Sequence, residues 1–281
     1  MAQLRITGGT VHDPANGVTG EVRDICIDGG RIVESVPPAA RRLDASGMVV
    51  MAGGVDIHSH VAGSSVNIAR RLLPEEHDAD PAAAPVLADG DGLARSGTGG
   101  TMPSTFTTGY RYAGLGYTTV FDASVAPLVA RSAHAQLGET PIVDSGFFAL
   151  LGNDDYLLRL IDAAERERAR EYAAWLLAAT GAYAIKIVNP AGIELWKRGV
   201  RERTELDQTL GGSRVTPRAI LETLADAANT LGLPHGVHIH CNNLGLPGNV
   251  ETTLASMSAL DGRRAHFTHC LLYTSPSPRD S

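Results

Sequence analysis

The chain has 281 residues, a formal net charge of −7, 43% hydrophobic and 20% charged residues. That is a globular composition with room for one large domain or two ordinary ones. The acidic balance argues against a nucleic-acid partner, and no apolar run nears the ~20 residues that span a bilayer. The N-terminus lacks a signal-like apolar stretch. Cys26, Cys241 and Cys270 are too few and too scattered for a disulfide framework, so a reducing, cytoplasmic setting is expected.

Residues 1–50 read as a small β module. Leu4-Arg5-Ile6-Thr7 runs into Gly8-Gly9, and Asp24 to Asp28 alternates before Gly29-Gly30 turns into Arg31-Ile32-Val33. Alternation bounded by glycine pairs is a hairpin signal. From residue 51 the texture changes to strand-then-helix units. The apolar run from Val49 to Ile57 ends in His58-Ser59-His60. Residues 62–110 are rich in Ala, Gly, Asp, Pro, Ser and Thr, the composition of a long functional loop with one short helix. Within it Ser96 to Gly100 is glycine-rich, but no Gly-Lys-Ser/Thr follows, so it reads as loop rather than a phosphate cradle.

Further strands are expected over 116–122, 141–148, 182–188, 236–241 and 264–269. Asn153-Asp154 caps a long helix to about Thr180 with Gly181 as its stop, and Thr216-Pro217 starts another to about Leu231. Six strands alternating with helices imply an α/β fold built on a parallel sheet, of barrel rather than open type. A (β/α)8 barrel needs two more units, so residues 51–270 read as an incomplete, TIM-like barrel. Residues 271–281 read as a non-native tail, and this stretch of chain alone is expected to be inactive.

The chemistry concentrates at strand ends. His58 and His60, two apart, share one face of a strand. In a barrel that face is the interior, and active sites form at the C-terminal strand ends. His238 and His240 repeat the spacing: His240 is the better ligand, and His238 lies one layer deeper. His266 and His269 are three apart, so a regular strand turns only one inward. Its position favours His269 and leaves His266 outward. His12, His77, His134 and His235 receive no role. Among 24 basic residues only Lys186 and Lys197 are lysines. Lys186 sits mid-strand with the small Ala184 on its face, where burial would hold its amine neutral. A neutral amine can add CO2 and become a bridging carbamate. The alternative is a lysine paired with an acidic neighbour. Imidazole and oxygen ligands without thiolates suit zinc or another divalent ion. Cys241 and Cys270, beside the candidate ligands, read as packing residues.

A small β module, then Gly54-Val-Asp-Ile-His-Ser-His60, a strand lysine, and single histidines on two later strands together resemble the amidohydrolase superfamily. Gly54 to Gly63 with Val66-Asn67, Thr108 to Ala123 with Tyr110, and Val237 to Gly245 are most similar to one branch. That branch holds the A subunit of formylmethanofuran dehydrogenase and the α subunit of the formyltransferase/hydrolase complex. The likeness runs from the N-terminus to about residue 270.

The resemblance implies an N-terminal β-sandwich module and a metal-dependent hydrolase barrel. It implies two zinc ions, one on His58 and His60, the other on His240 and His269, bridged by carboxylated Lys186. His238, Asn67 and Tyr110 would stand behind these ligands or against the substrate. It implies hydrolysis or formation of the formamide of N-formylmethanofuran, within a complex of other subunits. The family also uses an aspartate from the last barrel strand, and no residue here matches it. Two rivals remain. One is a dihydroorotase- or hydantoinase-type hydrolase of cyclic amides, the other a metal-free scaffold subunit.

Overall fold

A computed structural model describes residues 3–72, 105–200 and 202–269. Most of the expected 62–110 loop, including the glycine-rich stretch, lies outside these residues, as do His77, Cys270 and the 271–281 tail. The chain forms two compact units, Met1–Gly54 and Val55–Ser281.

The first unit is a five-stranded sheet. Strands β1 (Leu4–Asp13), β2 (Val18–Asp28) and β3 (Arg31–Val33) run antiparallel, and β4 (Arg41–Asp44) and β5 (Val49–Met51) pair parallel to β1. Gly29 and Gly30 turn β2 into β3 with φ of 58° and 80°, the left-handed pair a tight hairpin needs. Gly8-Gly9 does not turn the chain, contrary to the sequence pattern. The β1–β2 register shifts between Ile6 and Gly9, a bulge inside one long strand. A Cβ on Gly9 would stand 2.5 Å from Val50 Cγ2, which explains the need for glycine.

The second unit is α/β, with a six-stranded parallel half-barrel sheet. Its strands are β6 (Gly54–Ser59), β7 (Tyr117–Val125), β8 (Asp144–Leu150), β9 (Ala184–Val188), β10 (Val237–His240) and β11 (Ala265–Thr268). They lie side by side in sequence order. The run from Val49 is therefore divided: Val49–Met51 belongs to the first sheet and Gly54–Ser59 opens the second. The expected strand at 141–148 begins only at Asp144, because Ile142 has φ 74°.

Helices α1 (Ser64–Arg71) and α2 (Phe106–Gly114) flank the undescribed part of the long loop, where one short helix was expected. Helix α3 (Ala130–Gly138) follows β7. The long helix expected over 153–180 is two, α4 (Asp155–Asp162) and α5 (Arg166–Thr180). Asp154 caps α4 through the backbone N–H groups of Tyr156 and Leu157. Ala164, at φ 60°, then breaks the run, and Gly181 ends α5 at φ 64°. Helix α6 (Gly192–Lys197) and helix α8 (Asn249–Ala259) lack strong sequence signals, whereas α7 (Pro217–Thr230) starts from the Thr216 cap as expected.

The sheet has two chemical faces. Ile185, Ile187, Val237 and Ile239 are fully buried in a core with Leu157, Leu176, Ile220, Leu221 and Leu224 from α4, α5 and α7. Alternation then forces Lys186, His238 and His240 onto the opposite face.

Candidate active site

Lys186, His238 and His266 stand directly beside one another on β9, β10 and β11. Adjacent residues in a parallel register share a face, so His266 points inward with the other two. This corrects the expectation of an outward His266. Its ring stacks on His238 at 4.7 Å. Parity failed because the strand does not stay regular. β11 ends at Thr268, and His269 takes φ 67°, which swings its ring back to the same side.

His269 meets His58 at a ring separation of 4.4 Å and His240 at 4.9 Å. His58 and His60 are 5.6 Å apart, edge to face. The structure thus brings His58, His60, His240 and His269 from three strand ends into one cluster. His238 lies beneath, with no exposed surface, and its Nε2 is 2.8 Å from His58 Nδ1. Sequence reading gave His235 no role, yet its Nε2 stands 3.2 Å from His238 Nδ1.

Lys186 is 1% exposed and its Nζ has no hydrogen-bond partner, nor does the buried Nε2 of His58. Burying such groups unpaired is costly. Burial pushes the Lys186 amine down to about 7, against a partial pull upward from Cys241 and Asp122. Burial first, then the charge of Lys186, pushes His58 down to about 3. His240 falls to about 4 through burial, His269 and Lys186. Burial also lowers His238, His266 and His269. Burial thus favours the neutral, metal-binding form of His58, His240 and His269.

Among the described residues no three His, Cys, Asp or Glu side chains are arranged to hold a metal ion as they stand. The residues nevertheless fit one. Two buried nitrogens without partners, His58 Nε2 and Lys186 Nζ, belong to the face where the His60, His240 and His269 rings also gather, and a divalent ion would satisfy such donors.

Two aspartates organise the rim, and sequence reading assigned neither. Asp122 on β7 is fully buried. It accepts from the N–H groups of Val61 and Ala62 at 2.8 Å and of Ser124 at 3.0 Å, and lies 3.9 Å from His60 Nδ1. Asp56 accepts from the His58 N–H and from the Tyr112 hydroxyl. The available signal was a carboxylate inside an apolar strand, Thr119-Val120-Phe121-Asp122.

Asn67 is buried but accepts from Gln136 Nε2, while Gln136 Oε1 accepts from the Gly63 N–H. It ties α1 to α3 and does not reach the histidines. Tyr110 is half exposed and packs on Phe106; its neighbour Tyr112 makes the inward bond.

The pattern defining the amidohydrolase family matches residues 41–279. Protein FwdA of Methanocaldococcus jannaschii is 45% identical over 280 residues, covering 96% of this chain and 48% of the relative. The A subunit of the formyltransferase/hydrolase complex Fhc of Methylorubrum extorquens is 38% identical, covering 96% and 47%. The crystal structure of that organism's FhcABCD complex with methylofuran superposes with a TM-score of 0.82 at 36% identity, covering 98% of this chain and 49% of that one. The chain therefore spans about half the length of the curated relatives it matches.

Proposed function

The chain belongs to the amidohydrolase family, and from that premise we propose that the complete protein is the divalent-metal amidohydrolase subunit of a larger complex and acts on a formamide. The substrate is N-formylmethanofuran or a close analogue. The reading of substrate and of partner subunits follows the similarity to FwdA and to its Fhc counterpart. The six-stranded sheet is then part of a (β/α)8 barrel, and the setting is cytoplasmic. The single observation that carries the chemistry is the pair of buried, unpartnered nitrogens, His58 Nε2 and Lys186 Nζ.

His58 and His60 would hold one zinc ion, His240 and His269 another. Two such ions supply a polarised carbonyl and a water made nucleophilic at neutral pH. Lys186, with an amine held down to about 7 by burial, adds CO2 and releases one proton. A carbamate at this position would supply oxygen ligands beside the four histidines. Asp122 anchors the Val61–Ala62 backbone that follows His60, and lies 3.9 Å from the His60 Nδ1 at the rim. In the net reaction the water oxygen joins the formyl carbon and the C–N bond breaks. The proton goes to the departing amine, giving formate and methanofuran; the reverse forms the formamide.

The test is formate release from N-formylmethanofuran by the purified complete protein with its partner subunits, alongside metal analysis. The expectation is turnover and about two zinc ions per chain. Opening of dihydroorotate without action on the formamide would overturn the substrate. Fewer than about one zinc per chain would favour a scaffold role.

A further inference from the structure

Three imidazoles stand in a line under the cluster. His58 Nδ1 meets His238 Nε2 at 2.8 Å, and His238 Nδ1 meets His235 Nε2 at 3.2 Å. His238 is fully buried, with His266 stacked on it, and Phe148 packs against both His238 and His235. Both ring nitrogens of His238 therefore face other imidazoles.

A hydrogen bond between neutral imidazoles needs one N–H and one lone pair. Each neutral ring carries one of each, so the direction taken at one contact fixes the next. Two arrangements exist. In the first, His58 Nδ1–H donates to His238, His238 Nδ1–H donates to His235, and His58 Nε2 keeps a lone pair. In the second, His235 donates to His238 and His238 to His58. His58 Nε2 then carries a proton, buried where it has no acceptor.

We propose that His238 and His235 are positioning residues that select the first arrangement, holding His58 with Nε2 unprotonated and ready to bind a metal ion. Neither touches the reacting atoms. The inference rests on the proposed metal centre and adds to it His235, which no sequence motif marks. A metal-binding histidine is commonly fixed by the partner of its other nitrogen. Here that partner is itself an imidazole, so the choice of tautomer is handed on to a third residue on the far side.

The test uses the complete protein, metal-free and labelled with nitrogen-15 histidine. NMR is expected to show His58 protonated at Nδ1 and bare at Nε2. His235→Phe keeps a ring against Phe148 but removes the acceptor. It should shift His58 toward the Nε2-protonated form and weaken zinc binding, read by chelator competition, by about tenfold. His238→Phe should do so more strongly. His235→Gln, whose amide oxygen accepts, should restore most of both readouts. A wild-type His58 protonated at Nε2 would overturn the inference, and so would folded phenylalanine variants that bind zinc like wild type. If His238→Phe does not fold, the half-buried His235 carries the test. A wild-type protein that binds no zinc overturns the metal centre, while the tautomer of His58 still decides this inference separately.

Discussion

Lys186 sets stability against function at a single position. Its amine is buried without a partner, and an unpartnered buried polar group costs about 1–3 kcal/mol. Lys186→Met keeps the aliphatic stem and removes that nitrogen. It should stabilise the metal-free protein by about 1–2 kcal/mol in urea denaturation. It should also lower formate release at least about a hundredfold, since even outer partners of metal ligands are worth 10–100-fold. A destabilised, active Lys186→Met protein would sink the assignment. Asp122 shows the opposite balance. Its carboxylate satisfies two N–H groups at Val61 and Ala62 in the interior. Asp122→Ala should cost about 2–3 kcal/mol because those donors lose their acceptor. Asp122→Asn, which keeps one accepting oxygen, should recover part of that loss in the same denaturation experiment.

Helix α2 docks through a glycine. A Cβ on Gly109 would stand 2.1 Å from the Pro141 carbonyl oxygen. Ala is the better helix former by about 1 kcal/mol, so propensity alone says that Gly109→Ala stabilises. The contact is with backbone, which cannot rotate aside, and overpacking of this kind costs about 1–3 kcal/mol. The variant should be destabilised on balance, with a lower thermal midpoint; a raised midpoint would show that α2 can shift away from Pro141. Such long-range contacts mark the limit of what the sequence makes legible. The strands carrying His58, Lys186 and His240 were readable because period-two alternation is a local rule, and so was the Asp154 cap on α4. The break at Ala164 was not, because nothing local forbids a continuous helix there. His266 was misread because parity assumes a regular strand, and His269 leaves the strand with positive φ. Asn67 and Tyr110 were drawn toward the site by adjacency in motifs, yet their hydrogen-bond and ring partners, Gln136 and Phe106, lie elsewhere. Asp122 was not legible because its partners, Val61 and Ala62, lie some sixty residues away, and His235 because its ring meets His238 only through a turn before the strand.

At the scale of the molecule, the sheet keeps one face apolar against helices and loads the other with groups that burial holds neutral. That asymmetry gives the metal-free protein a defined pH dependence. His58 and His240 titrate near 3 and 4 in the fold but near 6.5 in the unfolded chain. Below pH 6.5 the unfolded state takes up protons that the folded state refuses, so stability falls as the pH drops from 6.5 toward 4. Lys186 acts by the same sign in a higher window. Its folded value is about 7 against about 10.4 unfolded, so stability is lost as the pH falls from about 10 to 7 and changes no further below that. Tyr112 and Tyr172 are pushed up to about 12 by burial first and then by Asp56 and Asp154 respectively. They keep their protons in the fold, so their contribution is lost as the pH rises from about 10 to 12. Together these groups place the stability maximum on the alkaline side of neutrality. Each excluded proton contributes a slope of at most about 1.4 kcal/mol per pH unit. Urea midpoints at pH 5, 6.5, 8 and 9 should rise throughout in the metal-free protein. In Lys186→Met the rise between pH 7 and 9 should flatten while the rise from 5 to 6.5 persists. A wild-type profile already flat above pH 7 would mean that Lys186 is charged in the fold, and its amine could then not take up CO2.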